Sequence, residues 1–242
     1  MIPKDHATRL QTSAPRVWRP FPREHPRVVC VYRPNANVRA QMREQWTVSL
    51  LRAGSIVKIE SARVTTLKED SILIIPPRVL HALVGHQTRC HGSLVVLVSE
   101  DYLPSLRPAP GVLIVGAGPT PNGRRARATP LLPIRDYLRS RISVPVSVER
   151  LVRLSGLTEF HLIRAFRREF GLPPHAYHLR LRLARACTLL SSGNTVSRTA
   201  YECGFADHSH LSRTFKDVYG LTPAAWIAGT LVSLPARRAS SQ

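Results

Sequence analysis

The sequence predicts a two-part chain: an all-β half, built as a small barrel or sandwich, followed by an all-α half that contains two helix-turn-helix units. Three observations predict it. Residues 28–115 carry seven short β-branched runs divided by Gly, Pro, Asn or charge clusters. Residues 147–171 and 195–220 spell one helical pattern twice. Between the halves, Pro108, Pro110, Gly116, Gly118, Pro119, Pro121 and Gly123 crowd a stretch that ends in an arginine-rich run without apolar period, the signature of a linker.

The β runs are 28–32, 46–51, 55–59, 72–75, 80–84, 94–98 and 112–115. Their composition suits a pleated, half-buried surface, and their number and spacing suit a jelly roll. The chain is accordingly divided into an N-terminal arm at 1–20, a β domain at 21–118, a linker at 119–130, a helical domain at 131–229 and a tail at 230–242.

In the first helical copy, Val148, Leu151, Val152 and Leu154 form an apolar stripe, Ser155, Gly156 and Leu157 break it, and Thr158 opens a second helix carrying Leu162, Phe166 and Phe170. In the second copy, Val196, Thr199 and Ala200 precede Cys203, Gly204 and Phe205, and Asp207 caps a helix carrying Leu211 and Phe215. The repeat is about 49 residues: Leu162 aligns with Leu211, Arg164 with Arg213, Phe166 with Phe215, Gly171 with Gly220 and Pro174 with Pro223. Two copies are too few for a solenoid, and the glycine turns are those of a helix-turn-helix. Gly156 and Gly204 allow the tight turn because glycine tolerates positive φ; a bulky residue there is expected to unfold the unit.

With the leucines and phenylalanines turned inward, a helical wheel leaves Glu159, Phe160, Ile163, Arg164 and Arg167 outward in the first copy and His208, Ser209, Ser212, Arg213 and Lys216 outward in the second. A major groove admits one α-helix braced by another behind it. Phe160 and Ile163 suit contact with thymine methyls, and the forked guanidinium groups of Arg164 and Arg213 suit guanine. Arg167, Arg168 and Lys216, one turn further along, suit phosphates, which set affinity rather than sequence preference. The alternative for each charged residue is a solvated face.

Composition agrees with a polyanionic partner: 35 basic against 15 acidic residues give a formal charge of +20. The charge is spread over both halves, and all the basic residues but Lys4, Lys58, Lys68 and Lys216 are arginine, so charge alone does not locate a site. No run of about 18 apolar residues and no signal-peptide core is present, which predicts a cytoplasmic protein without membrane attachment. Cys30, Cys90, Cys187 and Cys203 stand far apart, which argues against zinc and disulfides and for buried thiols.

The run Ala200-Tyr-Glu-Cys-Gly-Phe-Ala-Asp-His-Ser-His-Leu-Ser-Arg-Thr-Phe-Lys216, followed by Tyr219-Gly-Leu-Thr-Pro223, resembles the signature of the AraC/XylS family of bacterial transcription regulators, and the likeness covers residues 131–229. The resemblance implies a seven-helix unit whose two helix-turn-helix motifs are joined by a long helix, here 174 to about 192, with both reading helices entering successive major grooves. It places base contacts at Phe160, Ile163 and Arg164, and at His208, Ser209, Ser212 and Arg213. The joining helix has Leu179, Leu183, Ala186 and Leu190 as its packed stripe, with Arg180, Arg182 and Arg185 expected in solvent. Val152 departs from the small residue that Ala200 supplies in the second unit, so the first unit is expected to dock less tightly.

Residues 68–81, ending Ile74-Ile-Pro-Pro-Arg-Val-Leu-His81, resemble the second motif of cupin sensor domains. A metal cupin gathers several histidines and a carboxylate, but the stretch 41–46 holds no histidine, and His86 and His91 lie too far along to join His81. His81 is therefore either an effector-pocket residue or a satisfied structural histidine; Trp46, Tyr32 and Arg33 are further pocket candidates. The expected protein is a non-catalytic regulator without cofactor or metal. Its expected partners are promoter DNA, RNA polymerase, an unidentified small effector and a second copy of itself, and activation is its implied output. The alternatives are a sequence-blind nucleic-acid binder and a metal-dependent cupin enzyme.

Overall fold

The structure is a computed structural model that describes residues 16–18, 29–33, 38–51, 55–59, 63–67, 72–85, 93–98, 112–114 and 130–231. Most of the expected arm, linker and tail, together with Cys90, His86 and His91, lies outside the described residues. Strands β1 (Arg16–Trp18), β2 (Val29–Arg33), β3 (Val38–Gln41), β4 (Trp46–Leu51), β5 (Ser55–Ile59), β6 (Arg63–Leu67), β7 (Ile72–Ile75), β8 (His81–Gly85), β9 (Ser93–Val98) and β10 (Val112–Ile114) form two sheets. One sheet runs β1-β2-β9-β4-β7-β10 and the other β3-β8-β5-β6. Pairing is antiparallel except between β10 and β7. All seven expected strands are present within a residue or two. Sequence reasoning missed β1, β3 and β6, which are too short or too rich in Arg and Thr to read as apolar runs.

The C-terminal half is helical: α1 (Leu132–Ser140), α2 (Val148–Ser155), α3 (Glu159–Phe170), α4 (Pro174–Ser191), α5 (Val196–Glu202), α6 (His208–Tyr219) and α7 (Pro223–Leu231). Each start has a local cause. Ser147, Thr158, Thr195 and Asp207 accept the backbone N–H three residues on, and Pro174 supplies the first turn of α4.

Helix α4 carries more apolar surface than one stripe. Tyr177, Leu181 and Ala184 enter a core with Leu151, Leu162, Phe166 and Phe170, while Leu183, Ala186, Cys187 and Leu190 enter a second core with Leu211, Phe215 and Trp226. Both cores extend into the sheet half: the first takes Met42 and Leu80, the second Val17, Val29, Val31, Val95 and Leu97. The two halves are thus packed on each other rather than merely linked. Gly229 of α7 approaches β1 so closely that a Cβ there would sit 2.3 Å from the Val17 carbonyl oxygen.

This packing corrects the expectation for Arg180 and Arg182, while Arg185 stays exposed as expected. Arg180 Nε donates to the Ala40 carbonyl, Arg182 donates to the Ile142 and Gly204 carbonyls, and Arg185 pairs with Glu44. Burial lowers the pKa of Arg180 and Arg182 below the usual guanidinium value. The reason is that other elements cover α4 on several sides, so its polar positions find carbonyl partners instead of water.

The junction turns on two neighbours in the short segment between β3 and β4. Met42 enters the first core while Arg43 reaches the second. Arg43 is 2% exposed. Its guanidinium lies 3.9 Å over the Tyr219 ring and 5.0 Å from that of Trp226, and it donates to Cys187 Sγ at 2.8 Å and Gln41 Oε1 at 3.3 Å. Tyr219 in turn donates its hydroxyl to the Met42 carbonyl, and Trp226 Nε1 donates to Ser191 Oγ. A desolvated cation over two aromatic faces gains about 2 kcal/mol per favourable contact, which offsets part of the cost of burying its charge. Cys187 and Cys203 are buried thiols, and burial pushes the Cys203 thiol up to about 12.

Replacing Arg43 by Ala is expected to lower the unfolding free energy by about 2–4 kcal/mol, through lost cation–π contact and the cavity left behind, with an unchanged urea m-value. Urea titration followed by circular dichroism checks this; a change within about 0.5 kcal/mol would place Arg43 outside the junction's energetics.

Candidate nucleic-acid interface

Two helix pairs present the expected outward faces. In the first, α2 ends at Gly156 with φ 67°, and Thr158 starts α3 two residues on. In the second, α5 gives way to Cys203 and to Gly204 with φ 71°, and Asp207 starts α6; the distance from cap to cap is one residue longer. The two glycines serve different constraints. A Cβ on Gly156 would meet nothing within 4 Å, whereas one on Gly204 would lie 2.2 Å from the Ser143 carbonyl oxygen.

Helices α3 and α6 are each seated on three aromatic rings in the same repeat frame. Phe166 packs on Phe170 and Tyr177 at 4.5 and 5.4 Å between centroids, and Phe215 packs on Tyr219 and Trp226 at 4.7 and 5.8 Å. With Leu162 and Leu211 also fully buried, the rotation of each helix about its axis is fixed. Phe160 is 68% exposed, Glu159, Arg164, Arg167 and Arg168 are exposed, and Ile163 is half-buried. On α6, His208, Ser209, Arg213 and Lys216 are exposed and Ser212 is half-buried. The structure therefore brings the nine sequence-predicted residues onto two outward faces, which none of the described strands covers.

The start of α6 already holds an anion: its first turn contains no acidic residue, but the Asp207 cap is held below the usual carboxylate range, chiefly by the His210 N–H and then by the Ser209 N–H and the nearby His208 and Arg213. The start of α3 differs: Glu159 stands in its first turn and Thr158 bonds the His161 ring at 2.8 Å. With a carboxylate at both starts, neither is a ready phosphate site, and the outward faces offer apolar, hydroxyl and guanidinium contacts instead.

Sequence reasoning missed the residues that fix one pair against the other. Arg182 of α4 donates to Ile142 and Gly204, both at 3.0 Å, so one guanidinium ties the segment before α2 to the turn before α6. Ser143 Oγ donates to the Glu202 carbonyl, and His178 Nε2 donates to the Arg141 carbonyl at 2.8 Å. Burial lowers the His178 pKa, partly opposed by that hydrogen bond. No sequence signal flags these residues, because their partners are backbone carbonyls.

The two effector-pocket candidates stand on different sheets. His81 is buried, its Nδ1 donating to the Val79 carbonyl at 3.0 Å and its Nε2 accepting from Gln41 Nε2 at 3.2 Å, in the same chain of bonds that reaches Arg43. Both ring nitrogens are thus engaged within the sheet half. Trp46 is half-buried on β4, and its indole N–H is buried without a hydrogen-bond partner. Among the described residues, no group of three His, Cys, Asp or Glu could hold a metal ion, and no helix is long and apolar enough to cross a membrane.

Residues 151–229 match the family model of a helix-turn-helix domain. The chain is similar to the MmsAB operon regulatory protein of Pseudomonas aeruginosa, 33% identical over 91 residues that cover 37% of this chain and 30% of the relative. Matches of this kind span about a third of the length of the curated relatives. Among solved structures, the chain is similar to a probable AraC family transcriptional regulator from Rhodopseudomonas palustris, 31% identical with a TM-score of 0.38, covering 40% of this chain and 93% of that one. Its fold over both halves is similar to ToxT from Vibrio cholerae, 9% identical with a TM-score of 0.52, covering 84% of this chain and 97% of that one.

Gly156→Ala is expected to cost about 1 kcal/mol, the strain of a positive φ in open space. Gly204→Ala, which adds a clash with rigid backbone, is expected to cost about 3 kcal/mol or more. Equal losses in denaturant titration would contradict the close approach to Ser143. For His178, a lowered folded pKa means that the fold favours neutral imidazole. Its contribution is complete above the unfolded value, about 6.5, and is lost as pH falls from there through the folded pKa. Melting temperatures between pH 7.5 and 5.5 are expected to fall more steeply for the wild type than for His178→Gln; parallel curves would refute this.

Proposed function

Because the chain belongs to the AraC family of transcriptional regulators, we propose that it is a sequence-specific DNA-binding regulator that reads promoter DNA with α3 and α6 in two successive major grooves. The observation that carries this reading is the pair of outward faces held in fixed rotation by matching aromatic seats and in fixed relation by Arg182. Two such helix-turn-helix units on one body favour two grooves separated by one turn of duplex, about 34 Å.

In this reading Phe160 and Ile163 lie against thymine methyls, while Arg164 and Arg213 donate in bidentate fashion to guanine O6 and N7. His208, Ser209 and Ser212 complete the second reading face. Arg167 and Lys216, on the last turns, neutralise phosphates and set affinity. The sheet half, a cupin-like jelly roll over 21–118, is the control domain, with Trp46 as its lining candidate. An effector or a second copy acts there by binding one arrangement of the DNA-binding half better than another. Cytoplasmic activation through contact with RNA polymerase is the output the family resemblance favours.

A sequence-blind binder is the competing reading, since a formal charge of +20 attracts any nucleic acid. Selection of bound genomic fragments followed by titration separates the two. A specific regulator prefers its selected site over unrelated duplex by roughly 10³ or more at fixed salt, and a sequence-blind binder does not. Within the selected site, Arg213→Ala is expected to relax preference at one base position, at about 1–3 kcal/mol, whereas Lys216→Ala weakens all sequences alike and lowers the salt slope by about 1. Uniform losses from both variants would remove Arg213 from base reading.

A further inference from the structure

A cavity of about 630 Å³ opens where the sheet half meets the helical half. Glu44 and Arg78 line it from the first, and Arg139, Arg141, Ser143 and Arg185 from the second. Its volume lies within the range of small-molecule sites, about 300–1,000 Å³. Its chemistry differs from an ordinary apolar pocket, because four guanidinium groups face one carboxylate and the lining carries a formal charge of +3.

The arginines are underused by the protein itself. Glu44 reaches Arg78 only at 3.8 Å and Arg185 only at 3.5 Å, long for charge-assisted hydrogen bonds, which run about 2.7–2.9 Å. Arg139 donates one amino group to the Arg78 carbonyl at 2.9 Å, while its Nε is buried with no partner. The Arg141 guanidinium stacks 5.1 Å over Tyr137 and is exposed. Arg78 has φ 59°, the one non-glycine residue among those described in the left-handed region, and its N–H donates to the Arg43 carbonyl at 2.7 Å. Backbone strain of this kind persists where the surroundings hold it, and here it fixes the root of a cavity arginine. The opposite wall is equally fixed, since His178, Arg182 and Ser143 anchor the Arg141–Ser143 segment.

We propose that this cavity binds a small polyanion carrying two or more carboxylate or phosphate groups, gripped by Arg78 on one side and by Arg139, Arg141 and Arg185 on the other. Planar guanidinium forks match both oxyanions. Because its contacts come from both halves, the polyanion stabilises their docked arrangement over any other. That regulatory consequence rests on the DNA-binding reading above; the binding itself does not.

The test is calorimetric titration of the full chain with citrate and with pyrophosphate, at ionic strength held constant with KCl. One-to-one binding of at least one is expected, weakened about tenfold in Arg141→Gln and in Arg78→Asn, which keeps a residue tolerant of positive φ. Arg164→Gln, remote from the cavity lining, is expected to bind the anion as the wild type does. Near-UV circular dichroism verifies that each variant is folded. Absence of binding for both anions, or equal binding by the wild type and both cavity variants, overturns the proposal. So does a loss of DNA affinity in Arg141→Gln without any polyanion present, which would assign these arginines to DNA phosphates. If Arg164→Gln leaves DNA binding intact but Arg141→Gln weakens citrate binding, the cavity is supported and only the reading face fails.

Discussion

The insertion of Met42 and Arg43 into opposite sides of one helix is the constraint on which the rest of the structure depends. A single segment leaving β3 straddles α4 and feeds one core with a thioether and the other with a guanidinium. The Ala40 and Met42 carbonyls accept from Arg180 and Tyr219, and Glu44 pairs with Arg185. Four of the five residues 40–44 thus contact the helical half through backbone, apolar and charged groups alike. A buried arginine with only aromatic, thiol and amide partners has little net gain to offer as an isolated interaction; its value here is that few other arrangements satisfy it.

While α4 is buried from several sides, α3 and α6 each keep one exposed face. The same offset that relates Phe166 to Phe215 also relates Phe170 to Tyr219 and Tyr177 to Trp226. The duplication is therefore one of seating as well as of reading face. Only the second seat has acquired the arginine from the sheet half, since Arg43 stacks on Tyr219 and Trp226. The first has a more distant counterpart in Arg135, 5.8 Å from the Phe170 ring. The asymmetry couples the sheet half more tightly to α6 than to α3.

Much of this was legible in the sequence. The caps Thr158 and Asp207, the turn glycines and the fourfold spacing of Leu162, Phe166 and Phe170 are local signals, and local signals specified the helices and their exposed faces. The extension of the repeat to Tyr177 and Trp226 was present but disguised, because different aromatic residues perform the same packing. Arg43 was illegible: arginine is ordinarily a surface residue, and nothing near it in the chain announces Tyr219 or Trp226. Arg180 and Arg182 were misread for a related reason, their partners being carbonyls of distant loops. The short strands β1 and β3 depend on tertiary pairing more than on propensity, which is why β1 escaped notice inside the expected arm.

The central claim is that this junction makes the sheet half and the helical half one cooperative body. Native-state hydrogen exchange measures it most directly, by comparing the slowest amides of β9 with those of α4 across low denaturant concentrations. The account predicts that both sets open with the same free energy and the same denaturant dependence. If the β9 amides open at a markedly lower free energy while α4 keeps its protection, the halves are separate units and the junction does not join them.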